Sequence, residues 1–175
     1  MRFYLPEENI ADLERRHRVP YRVWADAGLI TLTPGSAVDY KYVRRDIIAL
    51  VKGRNLKIIL GDPHAANGLL TQLEQDDGLP AKEIRQGFLS LSPPTKELKR
   101  LVAEKRLRHG GHPILRWMAG NSVASTDDQE NVKLSKKKSR EKIDGLAAIV
   151  NAIAGTISGE AEGESVYESR GVLTL

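Results

Sequence analysis

Apolar positions recur every three to four residues at Val43, Ile47, Leu50 and Val51, the spacing that gathers side chains on one face of an α-helix. Asp39, just ahead of them, is suited to cap that helix, and Gly53 marks its end. The period then changes. In LKIIL, residues 56–60, apolar and β-branched side chains run almost unbroken, as in a strand buried on both faces. GDP leads from it into a helix carrying Leu69, Leu70 and Leu73, and KEIRQG, residues 82–87, reads as the next strand. Strand, helix and strand within about thirty residues predict a βαβ unit with parallel pairing, and so an α/β sheet.

The flanking segments extend this pattern. RFYL alternates weakly as a short strand, a polar helical stretch covers 8–17, VPYRVWADAGLI is a short helix stopped at Gly28, and LITLT is a second strand before the turn TPGSAVDY. Ser92 followed by Pro93 predicts the start of a helix that turns Leu98, Leu101 and Val102 inward. HPILRWMAGN is a short apolar segment anchored by Trp117, and SVASTDDQENVKLSK is a hairpin with its turn at Asp127–Asn131. The last helix is expected over 140–154, with Ile143, Leu146, Ala147, Val150 and Ile153 or Ala154 as its stripe. From Gly155 the chain loses periodicity, which predicts a flexible tail over 155–175.

At 175 residues the chain is expected to form one domain with a real core. No apolar run approaches the ~20 residues of a membrane span, and MRFYLPEENI lacks the apolar segment of a signal peptide. Without cysteine, disulfides and thiolate metal sites are excluded. A cytoplasmic protein is the expectation. The net charge is only +4, but basic residues crowd into KELKRLVAEKRLRHGGH (96–112) and KKKSREK (136–142). Clusters of this kind release counterions from phosphate backbones; the plainer reading is solvated helix faces and loops.

Two carboxylates have a place in this scheme. Asp62 follows the central strand directly, and ligands of open α/β sheets gather beyond the carboxyl ends of strands. Asp followed by Pro is equally a helix cap and first helical residue, so on spacing alone the two readings stand level. Asp144 opens the last helix, where the dipole by itself favours an acid. In RHGGHP, His109 and His112 could act as a ligand or proton shuttle. A Gly-rich turn with exposed histidines is favoured there, with a phosphate contact from Arg108 or His109 as its functional version. His64 lies near Asp62 but at a helix N-terminus, where a cation is disfavoured, and Trp117 is assigned to the core rather than to base stacking.

The order of several motifs is more specific. They are a D-P-x-x-A box at Asp62–Ala66, RQGF at 85–88, SPPTKELKRLV at 92–102, LRHGGHPILRWMAGN at 107–121 and the closing KKKSREKIDGLAA. With FYLPEE, VPYRVWADAGLITLTPG and VDYKYV upstream, they resemble the C-terminal nuclease domain of tailed-bacteriophage terminase large subunits over residues 1–154. The resemblance implies a ribonuclease H-like α/β fold, a mixed sheet flanked by helices with a hairpin before the last helix. It also implies an endonuclease that cuts concatemeric double-stranded DNA during genome packaging, using Mg²⁺ or Mn²⁺ held by carboxylates. Asp62 and Asp144 match two of the family's catalytic, metal-binding acids. Lys136, Lys137 and Lys138, with Arg108 and His109, are the expected DNA contacts.

The partners implied are double-stranded DNA, the terminase small subunit, the portal protein and the rest of the large subunit, in the cytoplasm of a host cell and with no membrane. The chain departs from the family pattern in one respect. The family's first catalytic aspartate lies on a strand upstream of the segment matching RFYLPEE, and no G-x-x-x-x-G-K-[ST] phosphate loop occurs. The expectation is therefore an N-terminally truncated nuclease domain over 1–154, lacking the ATPase domain and the first catalytic strand, with an incomplete site and inactive alone. The alternative is a non-catalytic DNA-binding or packaging-assembly module, a prophage remnant. A nucleotide-binding unit on ILGDPHAANG is disfavoured, because the loop lacks the glycine spacing that wraps a pyrophosphate.

Overall fold

The computed structural model describes residues 1–162; residues 163–175, the greater part of the expected tail, lie outside the described residues. Strand β1 (Tyr4–Pro6) pairs in parallel with β2 (Thr31–Thr33), Tyr4 opposite Thr31 and Pro6 opposite Thr33. Between them α1 (Ile10–His17) and α2 (Tyr21–Asp26) contribute Ile10 and Tyr21 to a core shared with Val19, Ile30, Ile114 and Met118. Gly28 ends this unit at φ +70, a left-handed turn that glycine adopts without Cβ strain.

Helix α3 (Tyr40–Val51) begins where expected, with the Asp39 side chain accepting from the Lys41 N–H at 2.9 Å. Its inward face differs from the apolar pattern. Val43 and Ile47 pack against the cluster of Leu69, Leu70 and Leu73, but Leu50 is 49% exposed and the buried residue is Asp46, 7% exposed. Asp46 can be buried because its charge is answered. Tyr4 Oη donates to it at 2.9 Å, Arg2 lies at 2.8 Å and Arg45 at 3.0 Å. Burial pushes the Asp46 pKa up, but the hydrogen bonds from Tyr4, Arg45 and Arg2 outweigh it and leave the pKa below its ordinary 3.8. Stability from this group is thus present above pH 3.8 and lost as pH falls through the depressed value. Asp46→Asn is expected to cost about 1–3 kcal/mol at neutral pH, a difference that urea unfolding should show shrinking as the pH is taken below 3.8.

The βαβ unit forms as the pattern predicts. β3 (Ile59–Gly61) runs parallel to β4 (Ala81–Glu83), Ile59 opposite Ala81, across α4 (Pro63–Gln75), whose Leu73 is fully buried. β3 is not buried on both faces, however; all three of its residues are partly exposed. Among the described residues β4 is its one strand partner, and the strands form three separate pairs rather than one mixed sheet.

Helix α5 (Phe88–Ala103) starts at Phe88 after Gly87, not at Ser92, so Pro93 and Pro94 lie inside its second turn. The reason is tertiary. Ser92 is buried and its Oγ accepts from the Val132 N–H at 3.1 Å, which commits the would-be cap to the neighbouring strand. Leu91 and Leu98 are buried and Leu101 packs against the same cluster, but Val102, expected inward, is 56% exposed. After α6 (Pro113–Asn121), β5 (Ala124–Thr126) and β6 (Val132–Leu134) form the expected antiparallel hairpin, closed by Asp127 Oδ1 accepting from the Gln129 and Asn131 N–H groups.

Helix α7 (Asp144–Glu162) begins at Asp144, four residues later than expected, and does not stop at 154. Gly155 is buried in it, and a Cβ there would lie 2.9 Å from Ile58 Cγ2. The glycine that resembled a helix stop is the place where α7 meets the strand region. No helix of the described residues is long and apolar enough to cross a membrane.

Candidate functional site

Asp62 stands at the carboxyl end of β3 and caps α4, Oδ1 accepting from the His64 N–H at 3.0 Å. The cap occupies one oxygen of the carboxylate. Asp62 also lines a cavity of about 290 Å³, together with Gln86, Lys133, Lys136, Lys137 and Asn151. Asp144 lines a neighbouring cavity of about 320 Å³ with His17, Arg140 and Glu141. Lys136 and Ile143 belong to both walls. The two aspartates therefore open on adjoining hollows with Lys136 at the divide, its Nζ 3.0 Å from Asp144 Oδ1.

Packing behind these side chains is tight. Ile143, just ahead of α7, is 1% exposed, and the Gly145 N–H donates to Met118 Sδ at 3.1 Å. A Cβ on Gly145 would come within 3.0 Å of that sulfur and 3.1 Å of the Phe3 ring, so only glycine lets α7 approach α6 this closely. Behind the second cavity, Tyr21 Oη sits 3.0 Å from His17 Nδ1. Burial, and then the charges of Glu141 and Asp144, push the Tyr21 phenol up to about 12.

The expected cations fall into different roles. Lys136, Lys137 and Lys138 form an exposed turn, but Lys136 is paired with Asp144 and Lys137 lines the first cavity, while Lys138 lines neither cavity. Arg108 and His109 are exposed and line neither cavity. The Gly-rich turn of RHGGHP is present, with Gly110 and Gly111 at φ +63 and +69, but only one of its histidines is exposed. His112 Nδ1 is buried without a partner and its ring lies 5.2 Å from that of Phe3. Desolvation, then the chain's N-terminal charge, lowers its pKa, which holds it neutral at physiological pH. Trp117 packs in the core beside Trp24 and Tyr21, ring centroids 5.6 and 6.4 Å away. His64 is exposed.

Three cavity residues, Gln86, Lys133 and Asn151, escaped the sequence pattern. Lys133 Nζ donates to the Gln86 carbonyl at 2.8 Å and lies 4.9 Å from the Phe88 ring centroid, so it is held against the wall. Asn151 interrupts the apolar stripe of α7, one turn after Ala147, and that interruption was its only sequence signal. For metal binding, Asp62 and Asp144 offer the hard oxygen donors that Mg²⁺ and Mn²⁺ favour. Among the described residues, no group of three or more His, Asp or Glu could hold an ion.

The described residues form a mixed α/β chain of small sheets and helices, with an acid at a strand end and another opening the last helix beside a lysine turn. Residues 2–160 match the family model of the terminase large subunit, endonuclease domain, and the chain belongs to that family. It is 33% identical over 163 residues to the large terminase subunit of Enterobacteria phage HK97, covering 90% of this chain and 31% of that protein. It is 31% identical over 182 residues to protein YmfN of Escherichia coli strain K12, covering 99% of this chain and 40% of the relative. The crystal structure of the HK97 large terminase superposes with a TM-score of 0.79 at 32% identity, over 86% of this chain and 32% of that one. The chain thus spans less than half the length of these relatives.

Proposed function

We propose that this chain is the DNA-cutting part of a packaging machine, a metal-dependent endonuclease domain acting on concatemeric double-stranded DNA. The observation that carries the reading is the family match over residues 2–160, within which Asp62 and Asp144 flank Lys136. Its strand pairs are read as parts of a ribonuclease H-like mixed sheet. Asp62 and Asp144 are the metal-binding acids. Mg²⁺ or Mn²⁺ held there would supply activation of a water and charge stabilisation at the leaving 3′-oxygen. Lys137 and Lys138 neutralise phosphates, and Lys136 joins them when it leaves Asp144. Arg108 and His109 extend the DNA contact. The terminase small subunit, the portal protein and the remainder of a large subunit are the partners, in the cytoplasm of a host cell. A phage and a bacterial relative fit a phage or prophage origin.

Two carboxylates hold one ion loosely and provide no acid to bridge a second. The chain alone is therefore expected to nick supercoiled plasmid slowly or not at all in Mg²⁺ or Mn²⁺. Fused behind the part of the HK97 subunit that precedes the matched region, it should cut. A fusion that folds and binds duplex but never cuts, beside an HK97 subunit that does, would sink the reading. The second reading, a non-catalytic DNA-binding or packaging-assembly module, is favoured by the exposed lysine turn, which can meet phosphates without an ion. That module would bind duplex without regard to divalent ions.

The lysine turn has its own test. Replacing Lys136, Lys137 and Lys138 together by Gln is expected to weaken duplex binding regardless of sequence. The slope of log affinity against log salt should fall by roughly 2–3, about 0.9 for each phosphate no longer neutralised. A salt titration by fluorescence anisotropy measures it, and an unchanged slope would leave the turn as mere solvated surface.

A further inference from the structure

Asn151 is an amide placed where α7 should carry an aliphatic side chain. Ala147, Val150 and Ala154 surround it on the same helix face, and it is only 9% exposed. Among the described residues its side chain makes no hydrogen bond, although it lines the Asp62 cavity. The residue is nearly covered, yet its amide atoms are not sealed off, so what remains accessible of the polar group opens on the cavity, ready for a partner that enters there. In a purely structural helix a leucine would serve better at this position.

The surroundings indicate what would satisfy the amide. Facing the same cavity are Lys133, Lys136 and Lys137 against the single carboxylate of Asp62, with Gln86 beside them. The balance is cationic, so the cavity suits an anion. Lys133 is held by the Gln86 carbonyl and the Phe88 ring, and Lys136 by Asp144. Lysines supply attraction with little orientation, because an ammonium is a point charge on a flexible stem. A carboxamide on a packed helix supplies orientation, because its two N–H donors are fixed in one plane.

We propose that Asn151 is a positioning residue for substrate, its carboxamide donating a hydrogen bond to a non-bridging oxygen of a DNA phosphodiester seated in the cavity beside Asp62. This rests on the reading of the chain as a DNA-cutting domain and assigns one contact of that substrate. The contact is neutral-to-anion, so it adds affinity and register without displacing a counterion.

The test uses the full 175-residue chain and a short duplex with EDTA present, so that cutting plays no part. Asn151→Leu is expected to melt at the same temperature as the parent or higher, and to bind duplex roughly tenfold more weakly, the order of one hydrogen bond to a charged group. Its salt slope should equal the parent's, unlike that of the lysine variants. In the unsubstituted protein, the Asn151 side-chain amide resonances, assigned by their loss in Asn151→Ala, should shift on adding duplex. Inorganic phosphate at the same phosphate concentration should shift them less, because a single free anion lacks the rest of the strand. Duplex binding by the parent with unmoved Asn151 resonances, or with undiminished affinity in both variants, overturns this assignment and leaves the DNA-cutting reading standing. Failure of the parent to bind duplex at all overturns both.

Discussion

Replacing Asp62 by asparagine is expected to remove the divalent-metal response of the chain while leaving its fold in place. The separation is possible because the observed cap and the metal-binding role proposed for Asp62 differ in chemistry. As the cap of α4 it accepts one backbone hydrogen bond, from His64, and asparagine caps a helix about as well as aspartate. As a metal ligand it must be anionic, which asparagine is not. In the parent, Mg²⁺ or Mn²⁺ at ten times its dissociation constant should raise stability by about 1.4 kcal/mol, or roughly 3–6 °C in melting temperature for a chain of this size. Asp62→Asn should melt with the parent in EDTA and show no rise with metal. Asp62→Ala should melt lower in both conditions, having lost the cap as well, a cost of about 1 kcal/mol. Asp144→Asn should also lose the metal response, and in a cutting fusion either asparagine variant should abolish cleavage. A metal-dependent rise that persists in the double variant would place the ion elsewhere on the protein.

The contrast between Asp62 and Asn151 shows what was legible before the structure. Asp62 announced itself because strand, Asp-Pro and helix are local facts, and its capping hydrogen bond is with a residue two positions away. Asp39 was legible for the same reason. The hairpin at Asp127–Asn131 closes through its own turn residues and was placed correctly. What failed was non-local. Ser92 looked like a cap until β6 claimed its hydroxyl across forty residues of sequence. Asp46 had no place in the apolar pattern of α3, and its burial depends on Tyr4 and Arg2, some forty residues away in sequence. Asn151 was a single interruption in an apolar stripe, meaningful only once Asp62 and the lysines share its cavity. His112 looked exposed from its glycines and is covered by Phe3.

Gly155 belongs with these misreadings, and it carries the largest expected effect on the fold. Its composition and place suggested the end of a helix, yet it lies buried within α7 with Ile58 Cγ2 2.9 Å and Leu60 Cδ1 3.4 Å from where a Cβ would stand. Ile58 is β-branched, so its γ-methyl cannot swing aside as the tip of a long side chain would. Gly155→Leu must therefore push α7 away from the strand region or force both residues off their rotamers. Overpacking of this kind costs about 3 kcal/mol at the upper end of its usual range, a fall of roughly 6–12 °C in melting temperature. Gly120→Ala is the control. Gly120 lies in α6 with nothing within 4 Å of its would-be Cβ, so alanine should stabilise by about 0.5–1 kcal/mol through helix propensity alone. The consequence for the site follows from helix geometry. Asn151 lies one turn before Gly155 on the same helix, so a displaced α7 carries the amide away from Asp62. Below its melting temperature, Gly155→Leu should accordingly bind duplex more weakly than the parent, whereas Gly120→Ala binds as the parent does. A Gly155→Leu chain that melts with the parent and binds duplex as tightly would mean that α7 does not press on Ile58, and that the cavity wall is set by some other contact.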